Sequence, residues 1–355
     1  MTRNLLTGAN LSGPLELNGS AGTSGQVLQS AGAGAIPTWA AAPAAGAGGS
    51  TGQVQFNNAG TLAGAGDVTI HDGDLVLAVN AVVTQPPAGV KISSLAIGGR
   101  SLLAFKDAST SADAALQPSL AQVRVSIWTG VAGSNAPAVA GTVTLTATGT
   151  ATAANIATTN RHTRTQRLEY LVTTAATTAV AGWRYPNTGW TVGGVAADEG
   201  GFFFVCRWGP ATGVATTTNR AFCGMANVTA APTDVEPSTI TNIIGMGWDA
   251  ADANIQIMHR GAGAVTKVAL SASFPVPTAD RTKAYELALF SPPGSTQSVS
   301  YAVTDLGTGA TATGTITTNM PTNTTLLAPR GWMSVGGTSS VIGVALMSCY
   351  LETDY

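Results

Sequence analysis

The chain has 355 residues, of which 45% are hydrophobic and only 10% charged, with a formal net charge of −2. A charged fraction far below the roughly 25% of ordinary soluble domains leaves Thr, Ser, Asn, Gln and Gly to cover the surface, which suits parts that pack on copies of themselves. No run of Lys or Arg offers a footprint for a nucleic-acid backbone, and no window approaches the roughly 18 apolar residues of a membrane span. Neither nucleic acid nor membrane insertion is therefore expected.

The first segment, residues 1–66, is rich in Gly and Ala and poor in bulk. Before residue 100 the only aromatic residues are Trp39 and Phe56. The opening "MTRNLLTGANLSG" has no apolar stretch of signal-peptide length, so folding in a cytoplasm is expected. "GTSGQVLQSAGAGAIPTW" (22–39) and "GSTGQVQFNNAGTLAGAG" (49–66) share a phrase, with Gly25 and Gly52 at equivalent places. "AAAPAAGAGGS" joins them as an extended connector. Each copy carries only small apolar teeth, Val27 and Leu28, then Val54 and Phe56. Ordering the backbone costs about 1–2 kcal/mol per residue, and two such side chains recover only part of that at about 25 cal/mol per Å². The repetition favours ordering by sister chains around a shared axis.

"DVTIHDGDLVLAV" (67–79) predicts a hairpin, with Val68 and Ile70 alternating before the turn and Leu75 and Leu77 after it. His71 lies beside that turn as a solvated residue. A neck is expected over 67–97, closing at "TQPPAGVKIS". From residue 98 onward, alternating runs read as strands: "QVRVSIW", "TVTLTAT", "NIQIM", "YELAL" and "SVSYAVT". "SADAALQPSLAQV" is the best helical candidate, and Pro118 interrupts it. Many short strands with Pro- and Gly-rich breaks predict an all-β protein, its head over 98–355 a jelly-roll-like, concanavalin-like β-sandwich.

The three cysteines, Cys206, Cys223 and Cys349, form no CxxC and lie in apolar runs, so buried free thiols are expected. "RHTRTQR" (161–167) reads as a solvated strand edge or loop. No hydrolase or nucleotide-binding motif occurs. His162 and His259 lack supporting partners in sequence. Adjacent Asp198 and Glu199 point to opposite faces of a strand and make a poor carboxylate pair. Asp249 and Asp252, three apart, fit a polar turn better than a calcium loop. No catalytic residue, metal site or cofactor is expected.

The sharpest cluster is "GWRYPNTGW". Trp183, Tyr185 and Trp190 offer rings on which sugar C–H faces stack, and Arg184 and Asn187 offer hydrogen bonds to hydroxyls. The same tryptophans also fit inner-face positions of two strands around a turn.

The two shared phrases, the latter running on through "DVTI", resemble phrases found in tail-fibre and other minor structural proteins of tailed bacteriophages. "LLAPRGWMSVGGTSS" through "YLETDY" is similar to C-terminal sandwich domains of phage tail proteins. The resemblance implies a non-enzymatic homotrimer located in the virion tail and made in the bacterial host cytoplasm. Its N-terminal segment would attach to tail or baseplate proteins, and its sandwich would recognise a host-surface polysaccharide. A purely structural baseplate or tail-tip component remains the alternative. A polysaccharide-cutting tailspike would show clustered carboxylates on a long repetitive solenoid, and neither occurs here.

Overall fold

A computed structural model describes residues 13–42, 50–58, 61–72, 74–77, 79–80, 90–107, 114–115, 124–129, 144–158, 163–194, 200–211, 218–277, 281–293 and 296–353. The chain divides into two compact units, residues 1–78 and 79–355.

In the first unit, β1 (Gln26–Gln29) pairs with β2 (Thr38–Ala41), and β3 (Gln53–Asn58), β4 (Thr61–His71) and β5 (Asp74–Leu77) form a three-stranded antiparallel sheet. The repeated phrase is a repeated turn. Gln26 N–H donates to Thr23 O at 3.1 Å, and Gln53 N–H donates to Ser50 O at 3.2 Å. Both Gln side chains reach back: Thr23 N–H donates to Gln26 Oε1 and Ser50 N–H to Gln53 Oε1, each at 2.7 Å. Gly25 and Gly52 hold φ of +89° and +85°, the left-handed conformation that a turn of this kind requires at its third residue. The expected hairpin closes through His71 and Asp74 around Asp72, whose φ is +51°. Not one described residue of this unit is buried. Val27, Leu28, Phe56, Ile70 and Leu75 are all exposed.

The second unit begins with β6 (Val79–Asn80), β7 (Val90–Ile97), β8 (Arg100–Asp107) and β9 (Ala114–Ala115), which form a small sheet. The expected neck at 67–97 is therefore divided. Its described residues up to Leu77 belong to the β4–β5 hairpin, and Val90–Ile97 is the first strand of the β7–β8 hairpin. Residue 98 is no boundary: Gly98 and Gly99, with φ of +56° and +87°, make that hairpin's turn between paired Ile97 and Arg100. Of the helical candidate "SADAALQPSLAQV", the described residues are the strand β9; the rest lies outside the described residues.

The sandwich follows, as β10 (Arg124–Thr129), β11 (Thr146–Thr148), β12 (Thr150–Ala154), β13 (Arg167–Ala176), β14 (Val180–Arg184), β15 (Phe202–Pro210), β16 (Arg220–Ala226), β17 (Ile243–Trp248), β18 (Gln256–Arg260), β19 (Thr266–Ala269), β20 (Tyr285–Ser291), β21 (Val299–Asp305), β22 (Thr311–Ile316), β23 (Ala328–Ser334) and β24 (Ser340–Thr353). One sheet runs β12-β13-β24-β15-β20-β21-β22, with β10 also paired to β24; the other runs β11-β14-β23-β16-β17-β18-β19. All these pairs are antiparallel. The chain crosses between the sheets repeatedly, which gives the jelly-roll-like sandwich that the strand pattern predicts.

Alternation turns one face of each sheet inward. Leu168, Tyr170, Phe204, Leu287 and Val344 from one sheet meet Trp183, Met225, Met246 and Met333 from the other in one core. Trp208 stacks on Trp248 at 6.0 Å between ring centroids and 18° between planes. Cys206 and Cys223 face each other across the core with 3.6 Å between sulfurs, and Cys206 pairs in register with Cys349; all three thiols are free and buried. β24 sits between β15 on one side and β13 then β10 on the other, and its apolar sequence reflects burial on both faces.

Candidate functional site

The residues picked out in "GWRYPNTGW" separate in the structure. Trp183 and Tyr185 point inward from β14 and its end, 0% and 1% exposed, and form part of the core. The reason is a reciprocal exchange with β23. Trp183 lies opposite Gly331, and Gly182 opposite Trp332. A Cβ on Gly331 would sit 2.7 Å from the Trp183 ring, and one on Gly182 would sit 2.7 Å from Trp332 Cβ. Each glycine makes room for the neighbouring strand's indole, one indole on each face of the sheet. Rings enclosed this way offer no face to a sugar, so the aromatic-platform expectation is corrected at Trp183 and Tyr185. Trp190 is half-buried, packs against the core and meets Tyr185 edge-on at 5.9 Å. Asn187 alone of the five is exposed.

Arg184 is structural as well. Its Nη1 donates to Thr148 Oγ1 at 3.0 Å and its Nε to Thr229 O at 2.9 Å. It acts with its register partner Arg330, which donates from Nη1 to Val228 O at 2.9 Å. Burial, with Arg184 beside it, lowers the Arg330 guanidinium to about 10. These contacts hold a strap, residues 227–242, over the outer face of the seven-stranded sheet. Asp234 accepts from Gly336 N–H, Gly337 N–H and Arg220 Nη1 at 2.9, 3.0 and 3.3 Å. Arg260 Nη1 donates to Ser238 O and Thr239 O at 3.0 and 2.9 Å. Beneath lies a second apolar cluster of Val180, Phe222, Ile243, Met258 and Trp332, completed by Ile240 of the strap. That sheet face is filled.

The other sheet carries the β7–β8 hairpin on part of its outer face, with Leu102 packed on Phe203 and Tyr350. A groove of about 1020 Å³ runs between the β7–β8 hairpin and the outer faces of β15, β20, β21, β22 and β24. One wall is a row of hydroxyls, Ser300, Thr304, Thr311, Thr313 and Thr315; the opposite wall is Leu95, Ile97 and Leu102. The Arg207 Nε to Glu286 Oε2 pair, at 2.6 Å, lies along it, with Arg207 half-exposed. The hairpin tip is anchored by Arg100, which pairs with Glu352 and lies 5.3 Å from the Phe203 ring centroid. The hydroxyl row comes from strict alternation on β21 and β22, whose inward positions are Val299, Tyr301, Val303 and Ile316. Its signal in sequence was the threonine spacing of "TATGTI", which reads equally as an ordinary solvent-facing edge.

Lys267 Nζ sits between Asp249 Oδ2 and Asp252 Oδ1 at 3.0 and 2.6 Å, so a side-chain cation occupies the acidic turn. Burial pushes the Asp249 carboxyl up, but hydrogen bonds from Ser238 and Lys267 outweigh it and hold it below its ordinary value. His71 is exposed beside Asp72, and His259 is buried with Nδ1 3.2 Å from Asn319 O. His162, Asp198 and Glu199 lie outside the described residues. Of "RHTRTQR", Arg164 is exposed as expected, whereas Arg167 is buried, 3% exposed.

No family model and no curated protein matches the chain. Among solved structures, it is similar to a protein of unknown function from Shewanella oneidensis MR-1, at 12% identity and a TM-score of 0.43, over 67% of this chain and 94% of that one. It is similar to peanut lectin bound to a 9-residue peptide, at 12% identity and a TM-score of 0.39, over 65% and 98%. It is also similar to a carbohydrate esterase from the Shiga toxin-encoding bacteriophage phi24B, at 14% identity and a TM-score of 0.33, over 59% and 90%.

Proposed function

We propose that this protein is a trimeric, tail-fibre-type component of a phage virion, made in the host cytoplasm and lacking enzymatic activity. Its first unit attaches to the tail, and its sandwich binds a host-surface glycan. The observation that carries this reading is the first unit itself. It forms ordered strands and two identical turns, yet none of its described residues is buried and its apolar side chains face outward. Sister chains supply the missing core, and small residues let their backbones approach closely.

The glycan site of this reading is the groove between the β7–β8 hairpin and the eight-stranded sheet, not the tryptophan cluster. Its hydroxyl row and the Arg207–Glu286 pair match the hydroxyls of a saccharide, and its apolar wall matches the C–H edges. Shallow sites in several copies gain strength through effective concentration. The test is adsorption of the full-length protein to host cells and to immobilised surface polysaccharide. Thr313→Trp, which fills the groove from an exposed position, is expected to reduce adsorption about tenfold or more, the factor set by about 1.4 kcal/mol. Asn187→Ala is expected to leave it unchanged. A trimer that adsorbs to no host surface overturns the receptor role and leaves a purely structural tail component.

A further inference from the structure

The outward side chains of the eight-stranded sheet fall into rows that run across its strands. Register pairs Ser348 of β24 with Arg207 of β15, Arg207 with Glu286 of β20, Glu286 with Thr304 of β21, and Thr304 with Thr311 of β22. Alternation keeps all five on the outer face, because their chain neighbours Cys206, Leu287, Val303, Ala312 and Cys349 pack in the core. Arg207 and Thr311 are exposed and Ser348, Glu286 and Thr304 half-buried, and all five line the groove. The next row is small and apolar, with Val205, Ala288 and Ala302 in register.

The tip of the β7–β8 hairpin decides which row lies open. A Cβ on Gly98 would sit 3.0 Å from Ala288 Cβ, and one on Gly99 would sit 2.6 Å from Ser300 Cβ, so the tip rests on the rows beyond. It leaves the polar row as the floor of the groove, with Leu95 and Ile97 along one side. Neighbouring strands lie about 4.8 Å apart, so the five members span about 19 Å and repeat at roughly the width of one pyranose ring. A pocket for one sugar converges its polar groups on a point. This row spreads them along a line perpendicular to the strands.

We propose that the groove takes an unbranched polysaccharide from within its chain, about four or five successive sugars lying across the strands, and not a terminal sugar. Arg207 and Glu286 hold the central sugar through charge-assisted hydrogen bonds, the strongest in the row. Thr304 and Thr311 hold the sugars on one side of it, and Ser348 the sugar on the other. This inference rests on the glycan-binding reading of the groove and names the form of glycan it reads.

The experiment measures adsorption of the full-length protein to immobilised host-surface polysaccharide, in competition with fragments of that polysaccharide sized from one to six sugars. Inhibition is expected to strengthen at least about tenfold from two sugars to four, the factor set by about 1.4 kcal/mol, and to level off beyond five. Thr311→Ala and Ser348→Ala lie at opposite ends of the row. Each is expected to weaken the six-sugar fragment about threefold, the loss of one neutral hydrogen bond, and to leave the two-sugar fragment and the Tm unchanged. Arg207→Ala is expected to weaken fragments of every length that bind. A single sugar that competes as well as six, or end variants that leave the six-sugar fragment unchanged, overturns the extended mode while the glycan-binding reading stands. A parent protein that does not adsorb to the polysaccharide overturns both.

Discussion

The two units use the same local chemistry and reach opposite ends of the burial scale. Both are built mainly of antiparallel strands with Gly-bearing turns. In the sandwich, alternation delivers Trp208, Trp248, Phe204 and Leu287 into a shared interior. In the first unit, Val27, Leu28, Phe56 and Ile70 all stand in solvent, Val27 and Leu28 on opposite faces of β1. Strand pattern and turn chemistry therefore specify local form, and bulk decides whether a single chain completes it. Charge follows the same division, since the sandwich spends arginines on its own strap and hairpin, whereas the first unit has none to spend among residues 13–77.

The largest expected effect separates the units by core truncation. Trp208→Ala removes an indole stacked on Trp248, and is expected to cost about 3–5 kcal/mol in denaturant unfolding of the sandwich. Phe56→Ala is expected to leave that transition unmoved and to weaken self-association, measured by sedimentation. An equal loss of sandwich stability in both variants would erase the contrast.

Alkaline pH sharpens it next. Burial raises the thiols of Cys206, Cys223 and Cys349 above their ordinary value of 9.0. Burial, reinforced by charge at neighbouring cysteines for Tyr170 and at Asp305 for Tyr285, raises two phenols above 10.0. The folded sandwich holds these protons after the unfolded chain has shed them. Their contribution is therefore complete below about pH 9 and falls as pH rises, by up to about 1.4 kcal/mol per group per pH unit. Arg330, lowered by burial to about 10, works in the opposite direction above that pH, as does Arg184, also lowered by burial, but these are two groups against the five named. The denaturation midpoint of the sandwich is expected to drop between pH 9 and 11. A flat profile would contradict the burial of these groups.

A smaller effect belongs to the strap. Asp234→Ala deletes the acceptor for two glycine amides and Arg220, and is expected to cost about 1–3 kcal/mol and to expose residues 227–242 to limited proteolysis. The smallest belongs to the repeated turn. Gly25→Ala forces a side chain into φ of +89°, a strain of about 1–2 kcal/mol confined to the first unit. It is expected to shift amide exchange at Gln26 without altering sandwich unfolding.

The strands of the sandwich were legible because period-two alternation survives in "YELAL", "SVSYAVT" and "NIQIM". The hairpin turn at Asp72 was legible from its Asp-Gly pair, and the repeat at Gly25 and Gly52 from its spelling, though not the glutamine side chains that close each turn. The site was less legible. A tryptophan on an alternating strand reads alike whether it faces a ligand or a core, and only the glycine opposite, 148 residues away at Gly331, places Trp183 inside. Likewise Arg167 reads as a solvated arginine until Arg281 and Glu169 meet around it. The strap has no periodicity at all; its course is set by Arg184, Arg220, Arg260 and Arg330 from four separate strands.

Native mass spectrometry of the purified full-length chain addresses the division between the units most directly. A species of three times 35.5 kDa, reduced to single chains by substitutions at Phe56 and Leu28 while the sandwich stays folded, is the predicted result. A parent protein that runs as one 35.5 kDa chain with its first unit protected from amide exchange would contradict it.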